Sequence, residues 1–344
     1  MRVFVTGATG FVGTAIVAEL IAAGHQVIGL ARSDSAARSL VAGGAVAYRG
    51  ALEELDSLRI GATDSDGVIH TAFIHDFSNY QSAADADRRA IEALGAALAG
   101  SGRPFVVTSG TALLWPGRLA EEKDRPDPDS AAAPRIGSEQ SALVLAAQGV
   151  RTSVVRLPPS VHGDGDHGFI PALIGVARDK GVSAYVDAGQ NRWPAVHLLD
   201  AARLYRLALE AAPPGAMLHA VADEGVPIRD VASVIGRRLD LPVVAISADD
   251  APAHFGWLAR FVSIDNPASS AATRKLTGWR PMQPGSSRIS TAPAISSVEP
   301  PSRRDLPLGR SICQVRCDTA ARDYSGALIE KILCALVSAT FVAA

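Results

Sequence analysis

The chain has 344 residues, 48% of them hydrophobic, and carries 33 Lys and Arg against 35 Asp and Glu, a formal net charge of -2. That length can bury a sizeable core as one large domain or two moderate ones, and so even a charge balance excludes a global field for nucleic acid or an anionic membrane. No apolar run reaches the ~20 residues that span a bilayer, the first residues read as a strand and not as a signal peptide, and cysteines confined to Cys313, Cys317 and Cys334 fit a reducing, cytoplasmic setting.

Arg2 to Val5 reads as a short buried strand and Thr6 to Gly13 as a tight glycine turn. From Phe11 the spacing of Val12, Ala15, Ile16, Leu20 and Ala23 predicts a helix that stops at Gly24. Gln26 to Ala31 is a second strand ending in Arg32-Ser33, and Asp34 to Val41 a helix capped by Asp34 or Ser33. Strands at 45–48, 67–71, 104–108 and 151–157 then alternate with helices at 53–58, 83–98 and 138–147. Alternation at this pace implies an α/β chain with a doubly wound parallel sheet, whose ligands sit beyond the carboxyl ends of the strands.

Past Pro158 the loops lengthen and carry Gly, His and aromatic residues. Helices are predicted at 168–180 and 198–212, a strand at 182–187, and a further helix from Val226-Pro227-Ile228 to about Leu239. His254 to Phe261 and a helix at 271–276 read as a smaller C-terminal lobe that caps the substrate cleft. The organisation that follows is a dinucleotide-binding core at 1–160, a substrate lobe at 161–284 interleaved with the last core elements, and an atypical tail at 285–344. Within that tail 285–309 is a Ser/Pro/Arg-rich run with little periodicity, which reads as disordered or poorly packed and outside the site.

Gly7, Gly10 and Gly13 lie between the first strand and the first helix, a geometry that cradles a pyrophosphate. Glycines permit the sharp turn, and the unpaired helix N–H groups point at the phosphates. NAD sites usually carry an acid at the end of the second strand to bind the ribose 2′-hydroxyl. Here that place holds Arg32, followed by Ser33. A guanidinium suits a 2′-phosphate, which favours NADP(H) and leaves NAD(H) as the second choice.

GATGFVG at 7–13, HTAF at 70–73, TSGT at 108–111 and RLPPSVHG at 156–163 occur in family order. Together they resemble the extended or atypical short-chain dehydrogenase/reductase superfamily, of the NAD-dependent epimerase/dehydratase type, over Met1 to about Pro284. The resemblance implies a Rossmann fold. It also implies a cofactor seat made by Gly7, Thr9, Gly10, Phe11, Val12, Gly13, the Leu52 backbone, Ala72, Phe73, Thr108 and Pro158, beside Arg32 and Ser33. It implies a small-molecule substrate and allows a homodimer, with no nucleic acid or membrane partner.

The catalytic positions depart from the family. Its members use a Tyr acid/base, a Lys four residues on and a Ser or Thr near the fifth strand. Residues 100–180 hold no Tyr-x-x-x-Lys; Arg135 falls in the Tyr slot, Glu139 in the Lys slot, and Gly110 where the serine is expected, flanked by Ser109 and Thr111. Arg135 cannot yield a proton near neutral pH but can bind an oxyanion. Glu139 is either a general acid or Arg135's partner one helical turn away.

His162 lies where the family often holds a Tyr beside the substrate, which makes it a candidate replacement proton donor. It belongs to a cluster with Asp164, Asp166, His167, Phe169, Trp193 and His197. The histidine spacing fits no standard metal site. The reading these residues favour is an NADP(H)-dependent oxidoreductase for a small carbonyl or alcohol, with a non-tyrosine proton donor from among Ser109, Thr111, Arg135, Glu139 and His162. The alternatives are an NAD(P)-dependent epimerase or dehydratase, and a non-catalytic NADP(H)-binding sensor.

Overall fold

A computed structural model describes residues 1–76 and 79–283; the three cysteines and the tail expectations lie outside the described residues. The early strands are β1 (Arg2–Thr6), β2 (Gln26–Ala31), β3 (Val46–Arg49), β4 (Gly67–His70), β5 (Pro104–Gly110) and β6 (Arg151–Leu157). After them come β7 (Ser160–His162), β8 (Ser183–Val186), β9 (Arg192–His197), β10 (Ala216–His219), β11 (Asp223–Pro227) and β12 (Val243–Ile246). Seven form one sheet in the order β10-β6-β5-β4-β1-β2-β3, with every neighbouring pair parallel. The chain reverses its direction of winding between β1 and β4, which is the switch point where open α/β sheets bind ligands.

The sheet is apolar on both faces because helices cover both. Along β1, Val3 and Val5 join one core while Phe4 joins the other, as the two-residue period of a strand requires. The first core packs under α1 (Phe11–Ala22) and the later helix Leu198–Ala211. The second packs under α3 (Leu55–Thr63), α4 (Tyr80–Leu98) and α5 (Ile136–Ala147), while α2 (Asp34–Ala42) adds Leu40 to the first.

The doubly wound sheet is as the sequence implies, and its seventh strand comes from 216–219, within the stretch 161–284 expected to interleave with the last core elements. The described residues fall in one compact unit with no break near 160. Val226 and Pro227 end β11 where the sequence suggests a helix start; α8 (Ile228–Leu239) follows directly, with Pro227 at its N-cap. Proline's fixed φ fits both the end of an edge strand and the entry to a helix, so the residue alone does not separate the two.

The lobe holds a three-stranded sheet in the order β11-β9-β7 and a parallel pair of β12 with β8. It also holds α6 (Phe169–Lys180) and α8, followed by the short helices α9 (Ala251–Phe255) and α10 (Ala259–Val262); α11 (Ala271–Thr277), expected in the cap, packs instead on β10 and the helix Leu198–Ala211 and does not line the cleft. The end of the described chain is tied back to α7, the helix Leu198–Ala211. The Trp279 indole donates to the Asp200 carbonyl at 2.9 Å, and the Asp200 carboxylate accepts from the Met282 and Gln283 N–H groups, each at 2.9 Å.

Candidate active site

A cleft of about 940 Å³ runs from the glycine turn, across the strand ends, to the lobe, near the upper end of the roughly 300–1,000 Å³ usual for ligand sites. Its floor is the β1–α1 turn. Gly7 has φ +68°, and a Cβ there would lie 2.6 Å from the Ala72 nitrogen; a Cβ on Gly13 would lie 2.0 Å from the Gly7 carbonyl oxygen. Only glycine fits either position. α1 starts at Gly10 with no side-chain cap and no acid in its first turn, so its leading N–H groups are left for a ligand anion.

Of the residues expected around a cofactor, Gly7, Thr9, Gly10, Phe11, Val12, Gly13, Arg32, Leu52, Ala72, Phe73, Thr108 and Pro158 line this cleft. Ser33 does not. Its hydroxyl caps α2 by accepting from the Ala36 N–H at 3.2 Å, which settles the choice between Asp34 and Ser33 as cap. Arg32 is exposed at the end of β2, and among the described residues its guanidinium has no hydrogen bond or ion pair. Its neighbour across the strand ends, Arg49, is paired with Asp34.

Beyond the glycine turn, the cleft is organised around Arg135. It closes a short 3-10 turn (Ala133–Arg135) and is the N-cap of α5, so its side chain leaves the helix face that carries Glu139. Its Nη2 donates to the Thr108 carbonyl at 2.9 Å and lies 3.4 Å from the Asp87 carboxylate, and its guanidinium sits 4.4 Å over the Phe73 ring. Asp87 is fully buried on α4. Burial alone would raise its pKa; the Arg135 charge and the His70 hydrogen bond outweigh it and hold the carboxyl below its usual value.

Behind Asp87 the network continues to the cofactor turn. His70 Nε2 lies 3.1 Å from Asp87 Oδ1, and His70 Nδ1 lies 2.8 Å from the Thr6 hydroxyl. With the carboxylate accepting, Nε2 carries the ring proton and Nδ1 accepts from Thr6, an assignment made from the partners.

Glu139 has a different partner from the one its spacing suggests. It is buried in a two-point contact with Arg156 of β6: Arg156 Nη2 to Oε1 at 2.5 Å and Nε to Oε2 at 3.0 Å, with the Ser109 hydroxyl donating to Oε2 at 2.8 Å. Both side chains are 2% exposed. Arg156 also donates to the Glu122 and Asp124 carbonyls. Glu139, expected from spacing in the family's Lys slot, is thus the acidic half of a buried ion pair.

Ser109 lines the cleft; Thr111, Glu139 and His162 do not. Thr111 is fully buried, its hydroxyl donating to Asn266 Oδ1 and its carbonyl accepting from Asn266 Nδ2, each at 2.8 Å. His162 stands on β7, edge-on to His197 at 5.4 Å, and among the described residues neither of its ring nitrogens has a hydrogen bond. Burial, reinforced by His197, pushes its pKa down to about 4, so at neutral pH the ring has no proton to spare as an acid. Among the described residues no group of three or more His, Cys, Asp or Glu is placed to hold a metal ion.

Asp87, His70, Arg156 and Tyr80 carry this site although sequence reasoning does not single them out. A signal exists for Asp87. It lies on the apolar stripe Ala83, Ile91, Leu94 and Leu98 of α4, and an acid on a buried face needs a cationic partner. Tyr80, at the start of α4, lines the cleft, and burial raises its pKa, keeping it protonated.

Asp166 lines the cleft in the loop before α6, one carboxylate oxygen accepting from the Gly168 N–H at 2.7 Å. The next residue, His167, meets Phe11 edge-on at 5.7 Å, which places this loop over the start of α1. Burial pushes the Asp166 pKa up to about 6, against an ordinary 3.8. The folded state therefore holds the proton more tightly, and stability is lost as pH rises from about 4 through 6. Asp166→Asn is expected to stabilise the protein by about 3 kcal/mol at pH 7.5 and by only about 1 kcal/mol at pH 4.5. Urea unfolding at the two pH values checks this; equal effects at both would refute it.

The NAD dependent epimerase/dehydratase family model matches residues 3–219. An uncharacterized protein of Schizosaccharomyces pombe is 53% identical over 283 residues, 82% of this chain and 95% of that protein. A 4-hydroxy-2-methyl-3-oxo-4-farnesyl-3,4-dihydroquinoline-1-oxide ketoreductase of Stigmatella aurantiaca is 30% identical over 271 residues, 74% of this chain and 80% of that enzyme. A crystal structure of a dTDP-glucose 4,6-dehydratase from Streptomyces venezuelae, with NAD bound, superposes with a TM-score of 0.68 at 19% identity, covering 83% of this chain and 93% of that one.

Proposed function

The chain belongs to the NAD dependent epimerase/dehydratase family, and from that premise we propose that it is an NADP(H)-dependent reductase of a small carbonyl compound. The observation that carries this reading is the single cleft joining the glycine turn and Arg32 to Arg135. A relative named as a ketoreductase supports it. The glycine turn and the α1 N-terminus hold the pyrophosphate, Leu52 borders the adenine, and Arg32 takes the 2′-phosphate. When bound, the reduced nicotinamide supplies a hydride for the carbonyl carbon.

Arg135 fills the tyrosine's place without doing its chemistry. A guanidinium does not give up a proton near pH 7, so its part is to donate a hydrogen bond and positive charge to the carbonyl oxygen as negative charge develops there. Asp87, the Thr108 carbonyl and the Phe73 ring hold it at a fixed angle. Asp166, a cleft-lining carboxyl whose pKa burial raises to about 6, is the acid we assign to protonate the product oxygen, directly or through water.

Arg32→Asp tests the cofactor assignment. Loss of a charge-assisted pair with phosphate is expected to weaken NADPH binding about 10- to 100-fold, while NADH binding holds or improves. Titration of both cofactors measures it, and an unchanged NADPH affinity would reject the assignment. Tight NADPH binding with no hydride transfer to any carbonyl would instead favour a sensor.

A further inference from the structure

The far end of the cleft is walled by aromatic rings. Phe169, at the start of α6, has ring centroids 5.5 Å from Trp193, 5.7 Å from Trp257 and 5.2 Å from Phe261. Phe73 lies 6.0 Å from Tyr80 and carries the Arg135 guanidinium on its face. All six rings line the same cleft. Trp257 is 48% exposed, so one side of this aromatic wall is open to an incoming ligand.

Charge is scarce at this end. The lining contains no lysine, and its arginines are Arg32, at the adenine end, and Arg135, whose charge is balanced by buried Asp87. Burial, with the Arg135 charge, lowers the pKa of His75 and keeps that ring neutral. For a nucleotide diphosphate the lining at this end offers one cation, Arg135, already paired with Asp87; Arg32 lies at the opposite end and Arg260 outside the lining. Small residues make room for a flat ligand: Gly110 has ordinary extended backbone, and a Cβ there would meet nothing nearer than 3.7 Å, so the glycine widens the cleft without being required by its turn.

We infer that the substrate is an uncharged, planar aromatic or conjugated aldehyde or ketone, stacked among the Phe169, Trp193, Trp257 and Phe261 rings with its oxygen toward Arg135. The inference rests on the reductase reading above. The reaction balances as NADPH, carbonyl and one proton giving NADP+ and the alcohol: a C–H bond forms at the carbonyl carbon, and the π electrons go to oxygen, which takes the proton. Ring faces add stacking and dispersion contacts that a planar π system uses and a saturated chain does not.

The test compares benzaldehyde, butanal and UDP-glucose with the intact chain and NADPH. Benzaldehyde is expected to exceed butanal in kcat/KM by about tenfold or more. Trp257→Ala is expected to cut that ratio about tenfold, and Trp257→Phe to restore most of it. UDP-glucose is expected not to inhibit. An equal kcat/KM for the two aldehydes, or competitive inhibition by UDP-glucose, overturns the inference while leaving the reductase reading in place. Benzamide, which is not reduced, provides a separate readout through quenching of tryptophan fluorescence with NADP+ present. Quenching that saturates, and is lost in Trp257→Ala, supports the aromatic site even if no carbonyl turns over; that outcome would end the reductase reading alone. Absence of saturable quenching counts against the aromatic site.

Discussion

Glu139→Ala is expected to cost about 3–5 kcal/mol of folding stability, because it leaves the Arg156 charge buried and uncompensated. Arg156 is 2% exposed, and its other partners are backbone carbonyls and a ring nitrogen of His219. Burial and the Arg156 charge push His219 down to about 4, so that ring adds no charge of its own at neutral pH. Glu139→Lys is expected to be worse than alanine, since it sets a second cation against Arg156 in a low-dielectric interior. Exchanging the two, Glu139→Arg with Arg156→Glu, restores neutrality and is expected to recover part of the loss. An apolar pair, Glu139→Leu with Arg156→Met, is expected to lie close to wild type, because burying the pair costs desolvation on both sides. Urea unfolding of this series measures the ordering. A Glu139→Ala protein within about 1 kcal/mol of wild type would show that the pair is not carrying the charge balance assigned to it. The series also bears on catalysis. Restoring the family's pair by Arg135→Tyr with Glu139→Lys would set an ammonium against the Arg156 guanidinium, so the ordinary relay cannot be regained by those two substitutions.

Arg135→Met is expected to lower kcat/KM for carbonyl reduction about 10²- to 10³-fold, the usual loss when a preorganised donor to a developing oxyanion is removed. Methionine keeps an apolar stem for the Phe73 ring, and the cofactor seat contacts other residues, so NADPH affinity is expected to stay close to wild type. Arg135→Lys is expected to fall nearly as far. An ammonium is a point charge without the planar fork that reaches the Thr108 carbonyl and Asp87 together while stacking on a ring. Steady-state kinetics with a separate NADPH titration makes the distinction. Retention of more than about a tenth of wild-type kcat/KM in Arg135→Met would remove arginine from the chemistry.

The fold is legible in the sequence wherever it repeats a local pattern. β2 and β6 have the bounds their residues suggest, and β1, β4 and α1 differ by a residue or two at their ends. The short strands β7, β9, β10, β11 and β12 are not legible, because segments of three to six residues in a mixed lobe show no sustained alternation. Val226-Pro227-Ile228 reads as one element and is the junction of two. The site divides in the same way. The glycine turn, Arg32 and the Arg135 and Glu139 slots are local features, and the sequence places them in order. Partners are hidden from it: Arg135 meets Asp87 across 48 residues, Thr111 meets Asn266 across 155, and Arg156 meets Glu139 from another element. Helical spacing suggests a pair between Arg135 and Glu139, but the guanidinium leaves α5 at its N-cap, before the helical face is established.

The line of contacts from Thr6 through His70 and Asp87 to Arg135 has a thermodynamic consequence. Thr6 ends the strand that leads into the glycine turn, and Ala72, beside that turn, donates its N–H to the Thr6 hydroxyl at 3.4 Å. The strand end beside the glycine turn and the Arg135 guanidinium thus share one set of buried bonds. Removing the Asp87 carboxylate would orphan two buried partners at once, His70 and Arg135, so its loss is expected to cost more stability than a single hydrogen bond.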